Sequence, residues 1–177
     1  MFSLEIIITT YNNPQALQST LESIALQSYS GFSICIADDG SGEPTKAVIE
    51  SFKNKHSNKK VRHFWQEDKG FRKNRLLNQV IATSDANYLL FIDGDCIACP
   101  DFVARHVQLA KNNQFVTGSV IRLTEANTSL VSSELIESGD LFLLQWLDEH
   151  GQIDRIGTKL KTNSLGTGIG GLLEIIS

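Results

Sequence analysis

Leu89-Leu90-Phe91-Ile92 runs straight into Asp93-Gly94-Asp95, so an apolar segment delivers two carboxylates separated by one glycine. In extended backbone alternate residues share a face, so Asp93 and Asp95 can point the same way, and Gly94 lets another group approach the main chain closely. Two hard oxygen ligands side by side suit Mg²⁺ or Mn²⁺, ions that complete their shells with water and substrate phosphate oxygens. The plain alternative is an Asp-Gly turn that caps a strand. A second acidic pair, Asp38-Asp39, offers acceptors for a nucleobase N–H or a ribose hydroxyl. Arg72, Lys73 and Arg75 add positive charge at the start of a helical segment, where phosphate is favoured. For Lys73 taken alone, a solvated helix face is the preferred expectation.

These residues need a scaffold that brings them together. Short β-branched runs at Leu4 to Thr9, Phe32 to Ala37, Val61 to Trp65, Tyr88 to Ile92 and Phe115 to Leu123 alternate with amphipathic segments. That alternation predicts βαβ units and a mainly parallel sheet. Helices are expected from Pro14 with Leu17, Leu21 and Ile24, from near Pro44, around Leu76, Leu77, Val80 and Ile81, and after Pro100. Polar clusters follow the first four runs: Thr10-Tyr11-Asn12-Asn13, Asp38 to Gly42, Gln66 to Gly70, and Asp93 to Asp95. In an open α/β sheet ligands bind outside the carboxyl ends of the strands, so the four clusters form one candidate site.

The whole chain constrains what that site can hold. With 177 residues, 41% hydrophobic and 20% charged, it has material for one packed domain. Sixteen basic against twenty acidic residues leave a net charge of −4, which disfavours nucleic acid as a partner and requires any phosphate to be held locally. Three cysteines, Cys35, Cys96 and Cys99, are too few for a disulfide framework and fit a reducing, cytoplasmic setting. The apolar run Leu141 to Leu147 is too short to span a bilayer and leaves only peripheral contact at the inner face of a membrane.

In order and spacing, Ile7-Ile8-Thr9-Thr10-Tyr11-Asn12, Ala37-Asp38-Asp39-Gly40-Ser41, Lys69-Gly70-Phe71-Arg72, Leu77-Asn78 and Phe91-Ile92-Asp93-Gly94-Asp95-Cys96 resemble family 2 glycosyltransferases. The resemblance covers about residues 4 to 110. It implies a GT-A (Rossmann-like) α/β fold, a mainly parallel sheet flanked by helices, with residues 1–112 as the nucleotide-sugar half and 113–177 as the start of an acceptor half. It implies that Thr10, Tyr11 and Asn12 line the nucleotide pocket, that Asp39 contacts the base, and that Arg72 lies near the diphosphate. Asp93 would face the ribose or the metal, and Asp95 would be the principal metal ligand. Many relatives have an Arg-Asn pair where this chain has Leu77-Asn78, which shifts that arginine's role to Arg72 or Arg75.

The implied reaction is inverting transfer of a sugar, UDP-linked by family weighting, to a hydroxyl of a saccharide or lipid-linked acceptor, as in polysaccharide biosynthesis. Mn²⁺ or Mg²⁺ would serve the leaving diphosphate. An inverting displacement also requires a carboxylate base. Glu137, Asp140, Asp148, Glu149 and Glu174 are available, but none sits in a recognisable motif. The end at Leu172-Leu173-Glu174-Ile175-Ile176-Ser177 gives the expectation of an acceptor half cut short, and with it the alternative of a nucleotide-sugar-binding piece without turnover. Asp93 to Ile97 also resembles the first motif of haloacid dehalogenase-type phosphatases, but it follows the fourth strand and lacks the downstream acidic pair.

Other motifs are set aside. Gly166 to Gly171 matches GxGxxG without the following βαβ context, and reads as a loop. Cys96-Ile97-Ala98-Cys99 has no second CxxC to complete a zinc site, so burial is expected. His106 is expected to pack; His56, His63 and His150 show no constellation; Trp65 and Trp146 are expected as core or partly buried anchors, with an approach of Trp65 to the site as the alternative.

Overall fold

The computed structural model describes residues 2–143, 146, 149 and 171–174. The chain divides into two compact units, Met1–Gln18 with Ser30–Gly94, and Ser19–Tyr29 with Asp95–Ser177. The helix α1 (Pro14–Ala25) contributes to both.

In the first unit, β1 (Leu4–Thr10), β2 (Phe32–Asp38), β3 (Val61–Trp65) and β4 (Tyr88–Asp93) form an all-parallel sheet in the order β3-β2-β1-β4. Each of the four expected runs is a strand, and three extend one residue further, into Thr10, Asp38 and Asp93. Position in the sheet accounts for their compositions. Central β1 and β2 are covered on both faces, so Ile6, Ile7, Ile8, Ile34 and Ile36 are fully buried and the apolar run is unbroken. Edge strand β4 instead alternates, with Leu90 and Ile92 buried while Phe91 and Asp93 are exposed.

Helices α2 (Glu43–Lys55) and α3 (Lys73–Ala82) supply the crossovers. Pro44 stands in the first turn of α2, where a missing N–H removes no helical bond. Leu76 and Val80, four residues apart on α3, pack with Ile7, Cys35 and Ala37 of the sheet. Burying a side chain of that size contributes about 1.5–3 kcal/mol. At the opposite end of the strands, Arg62 clamps the buried Glu5 through Nε at 3.0 Å and Nη2 at 2.8 Å, and Ser84 donates to the same carboxylate at 2.6 Å.

The second unit holds β5 (Cys96–Ala98), α4 (Phe102–Leu109), β6 (Ser119–Arg122), α5 (Glu125–Thr128), α6 (Ser133–Ser138), a 3-10 turn (Asp140–Phe142) and β7 (Gly171–Glu174). β7 lies between β5, antiparallel to it, and β6, parallel to it. The strand expected over Phe115 to Leu123 is shorter than its apolar pattern, because pairing begins only at Ser119 opposite Gly171, and Phe115 stands 89% exposed. Ile97, Ile121, Ile136 and Leu141 form this unit's core. Buried Gln27 stitches it: its Nε2 donates to the Cys99 carbonyl at 2.8 Å and its Oε1 accepts from Val103 N at 2.9 Å, satisfying an end group of α4. The three cysteines are free and buried, and His106 is buried with its ring edge-on to Phe102 at 4.7 Å. Residues 166–170 and Asp148 lie outside the described residues. No helix among the described residues is long and apolar enough to cross a membrane.

Candidate functional site

The carboxyl ends of β2, β1 and β4 are neighbours, with Thr10 opposite Asp38 and Thr9 opposite Asp93. Two strand spacings separate the acidic ends, roughly 10 Å, which is the scale of a nucleoside.

The segment after β1 is locked to the one after β2 by a reciprocal pair. Asn12 N donates to Ser41 Oγ and Gly42 N donates to Asn12 Oδ1, both at 2.9 Å. Asn12 takes φ 45°, a left-handed conformation that asparagine tolerates better than most residues. Tyr11 is thereby held half exposed, its hydroxyl donating to Asp68 Oδ2 at 2.9 Å. That bond, more than any other influence, raises the phenol's pKa.

The two aspartates ending β2 do different work. Asp38 is fully buried; one oxygen accepts from Ser41 N at 2.8 Å and the other lies 3.1 Å from His63 Nε2. Burial alone would raise its pKa, but the hydrogen bonds from His63 and Ser41 outweigh it and the carboxyl is held below its usual range. Asp38 is therefore a structural anion, and His63, for which the sequence showed no constellation, is its partner. Asp39 accepts from Arg72 N at 2.8 Å and from the Gln66 side-chain amide, which also donates to the Arg72 carbonyl at 3.2 Å. Gln66 thus ties the β3 segment to Asp39 and to the start of α3. Its place after β3 was readable, its partners were not, since they lie far away in sequence. Trp65 reaches the same loop, its indole donating to the Ser41 carbonyl at 3.1 Å.

Gly94 sits where backbones crowd. Its N–H donates to the Thr9 carbonyl at 2.7 Å, and a Cβ there would lie 2.7 Å from that oxygen. The close approach expected of this glycine is its hydrogen bond to β1. Asp93 accepts from Thr9 Oγ1 at 2.7 Å and from Lys73 Nζ on the same oxygen, Oδ1. Burial pushes its pKa upward, but the Lys73 and Thr9 bonds and the Lys73 charge win and hold it low. Lys73 is therefore an ion-pair partner of the acidic motif and not a solvated helix residue. Asp95 begins the second unit, where its Oδ1 lies 3.7 Å from Cys96 Sγ. Arg72 turns its guanidinium onto the Glu67 carbonyl.

Among the described residues, three buried side-chain atoms lack a hydrogen-bond partner: Thr10 Oγ1, Gln66 Oε1 and Arg72 Nε. All three belong to the strand-end segments of this one sheet edge. Buried polar groups are nearly always satisfied, so these three atoms mark where a ligand or ordered water would find hydrogen-bond partners.

Residues 5–172 match the family Glycosyl transferase family 2. Over 102 residues the chain is 30% identical to a validoxylamine A glucosyltransferase of Streptomyces hygroscopicus subsp. jinggangensis, covering 56% of this chain and 24% of that protein. It is likewise 30% identical over 105 residues to a hyaluronan synthase of Pasteurella multocida, covering 59% of the chain and 10% of the synthase. The chain thus spans about a quarter or less of these curated relatives. Among solved structures it resembles a mannosyltransferase from Pyrobaculum calidifontis in complex with GDP-Man and Mn²⁺, at TM-score 0.56 and 18% identity over 75% of this chain and 37% of that one. It also resembles residues 1–349 of S. aureus TarS in complex with UDP, at TM-score 0.55 and 17% identity over 99% and 61%.

Proposed function

Because the chain belongs to glycosyl transferase family 2 and has the GT-A fold, we propose that it takes part in moving a sugar from a nucleotide-diphosphate donor, a UDP-sugar, to a hydroxyl of a saccharide or lipid-linked acceptor. The observation that carries this reading is the convergence, on one sheet edge, of a fixed acceptor carboxylate at Asp39, an acidic strand end at Asp93 and three buried polar atoms without partners.

In this reading residues 1–112 bind the donor and 113–177 begin the acceptor half. Asp39 accepts an N–H from the base, and it is suited to do so because Arg72 N and Gln66 already orient both of its oxygens. Tyr11 presents an exposed ring and Thr10 a buried hydroxyl to the nucleotide, while Asn12 fixes the turn that carries them. Arg72 supplies cationic charge at the start of α3 for the diphosphate.

The donor set fits a divalent ion. Asp93 is a hard carboxylate, 57% exposed, at a strand end, and Asp95 follows it closely in the chain. Among the described residues no group of three His, Cys, Asp or Glu forms an all-protein cage. A site of one or two carboxylates completed by water and phosphate is what Mg²⁺ and Mn²⁺ ordinarily use. When bound, the ion would stabilise charge on the leaving diphosphate as a Lewis acid. Inversion at the anomeric carbon further calls for a carboxylate base, a role we leave to the acceptor half. The reading places the chain in the cytoplasm, at the inner face of a membrane where the acceptor is lipid-linked.

A thermal-shift panel of UDP, GDP, dTDP and CMP, with and without Mn²⁺, tests the proposal. A ligand that binds the native state raises the melting temperature by mass action. UDP with Mn²⁺ is expected to give the largest shift, and Asp95→Ala to lose the Mn²⁺-dependent part. If no nucleoside diphosphate stabilises the protein, or Asp95→Ala responds like the wild type, the donor-site reading fails.

A further inference from the structure

We propose that Lys73 is a built-in counter-cation for Asp93, one that a divalent ion must displace and that the donor's diphosphate then receives, so that metal and donor bind synergistically. This rests on the metal and diphosphate reading above and adds a contact, Lys73 on Asp93, that neither sequence spacing nor family membership assigned. Lys73 opens α3, its Nζ lies on Asp93 Oδ1, and Thr9 Oγ1 donates to the same oxygen at 2.7 Å. The lysine side chain is 32% exposed against 57% for the aspartate, so a largely covered stem carries its charge to a more open carboxylate.

A divalent ion and an ammonium compete for one carboxylate, since each repels the other at contact distance. Lysine suits a handover because it is a point charge on a flexible four-carbon stem, able to leave a carboxylate for a phosphate oxygen a few ångströms away. Without donor, the metal must displace the ammonium with nothing to receive it. With donor, the diphosphate offers the displaced charge a new partner. Linkage then requires the donor to tighten metal binding and the metal to tighten donor binding by the same factor.

The test is Mn²⁺ binding, read from the electron paramagnetic resonance signal of the free ion, with and without saturating UDP. Lys73→Met should bind Mn²⁺ alone about 2- to 5-fold more tightly than the wild type, the range an exposed ion pair supports, and UDP should then tighten Mn²⁺ binding by a correspondingly smaller factor. Lys73→Arg, which keeps the charge, should retain the weaker wild-type affinity. Arg75→Met removes a cation from the same helix without touching Asp93 and should change Mn²⁺ affinity by a smaller factor. If Lys73→Met binds Mn²⁺ no more tightly than the wild type, or no more tightly than Arg75→Met, the inference is overturned while the metal site stands. If the wild type shows no Mn²⁺ binding that Asp93→Asn weakens, the metal reading falls and takes this inference with it.

Discussion

Asp38 and Asp39 are chemically identical, both buried, and held by different partners. Asp38, in the last position of β2, is fully buried and matched by His63 and Ser41, whereas Asp39, one residue later, is turned toward the strand-end segments. The same sensitivity to position separates the glycines. At Gly40, φ is +103° and a Cβ would lie 2.7 Å from the backbone of Asp68; at Gly94 the φ is ordinary but a Cβ would meet the Thr9 carbonyl at 2.7 Å; at Gly70, φ is +81° and nothing lies within 4 Å. Substitution by alanine should therefore destabilise in the order Gly40 > Gly94 > Gly70. Gly70→Ala should cost about 1 kcal/mol from backbone strain alone, and the other two about 1–3 kcal/mol more, because main chain has to move. Urea unfolding midpoints check this, and a Gly70→Ala midpoint as low as that of Gly40→Ala would contradict it. Gly94 was legible in the sequence because an Asp-Gly-Asp triplet after an apolar run limits what can surround it. His63, Gln66 and Lys73 were not, since a side chain's partner across 20 or more residues leaves no local pattern.

Elements were legible to the extent that their stability is local or their burial complete. β1 and β2 announce themselves because a parallel strand covered by helices needs an unbroken apolar run, and edge strands β3 and β4 by short β-branched or aromatic runs that end in polar clusters. β5 and β7 do not, since three- and four-residue strands exist only through pairing with segments far along the chain, Cys96 with Glu174 and Ser119 with Gly171. Helix ends fall between these cases. Ser132 and Thr124 follow ordinary capping rules, accepting from Leu135 N and Asn127 N, but α4 relies on Gln27, 76 positions from Val103. Gln27→Leu would leave Val103 N buried without this partner, at about 1–3 kcal/mol, while the Cys99 carbonyl keeps its bond from Phe102 N at 3.0 Å. Amide exchange should then accelerate at Val103 more than at residues of β1. Uniform acceleration across both units would mean that Gln27 supports global folding and not this junction.

At the scale of the whole molecule, titration links these buried groups to stability. Burial lowers the pKa of His106, and burial together with nearby Lys55 and Lys59 lowers that of His56. In the unfolded chain a histidine titrates near 6.5. As pH falls through that value the unfolded state takes up protons that the native state still refuses, so stability declines, and it stops declining once the native rings protonate as well. A second decline belongs to the carboxylates. Asp38 and Asp93 have folded-state pKa values held below the ordinary range by their partners, so their contribution is complete above the unfolded value near 3.9 and is lost as pH drops through the folded one. Unfolding free energy measured in urea should accordingly be level from about pH 8 to 7, fall below about 6.5, and fall again below about 4. His106→Gln removes one of the two described histidines whose pKa burial lowers, and it should flatten that limb while leaving the second in place, whatever its effect on stability at pH 8. An unchanged slope between pH 6.5 and 5 in the variant would show that the buried ring of His106 takes no part in the pH response.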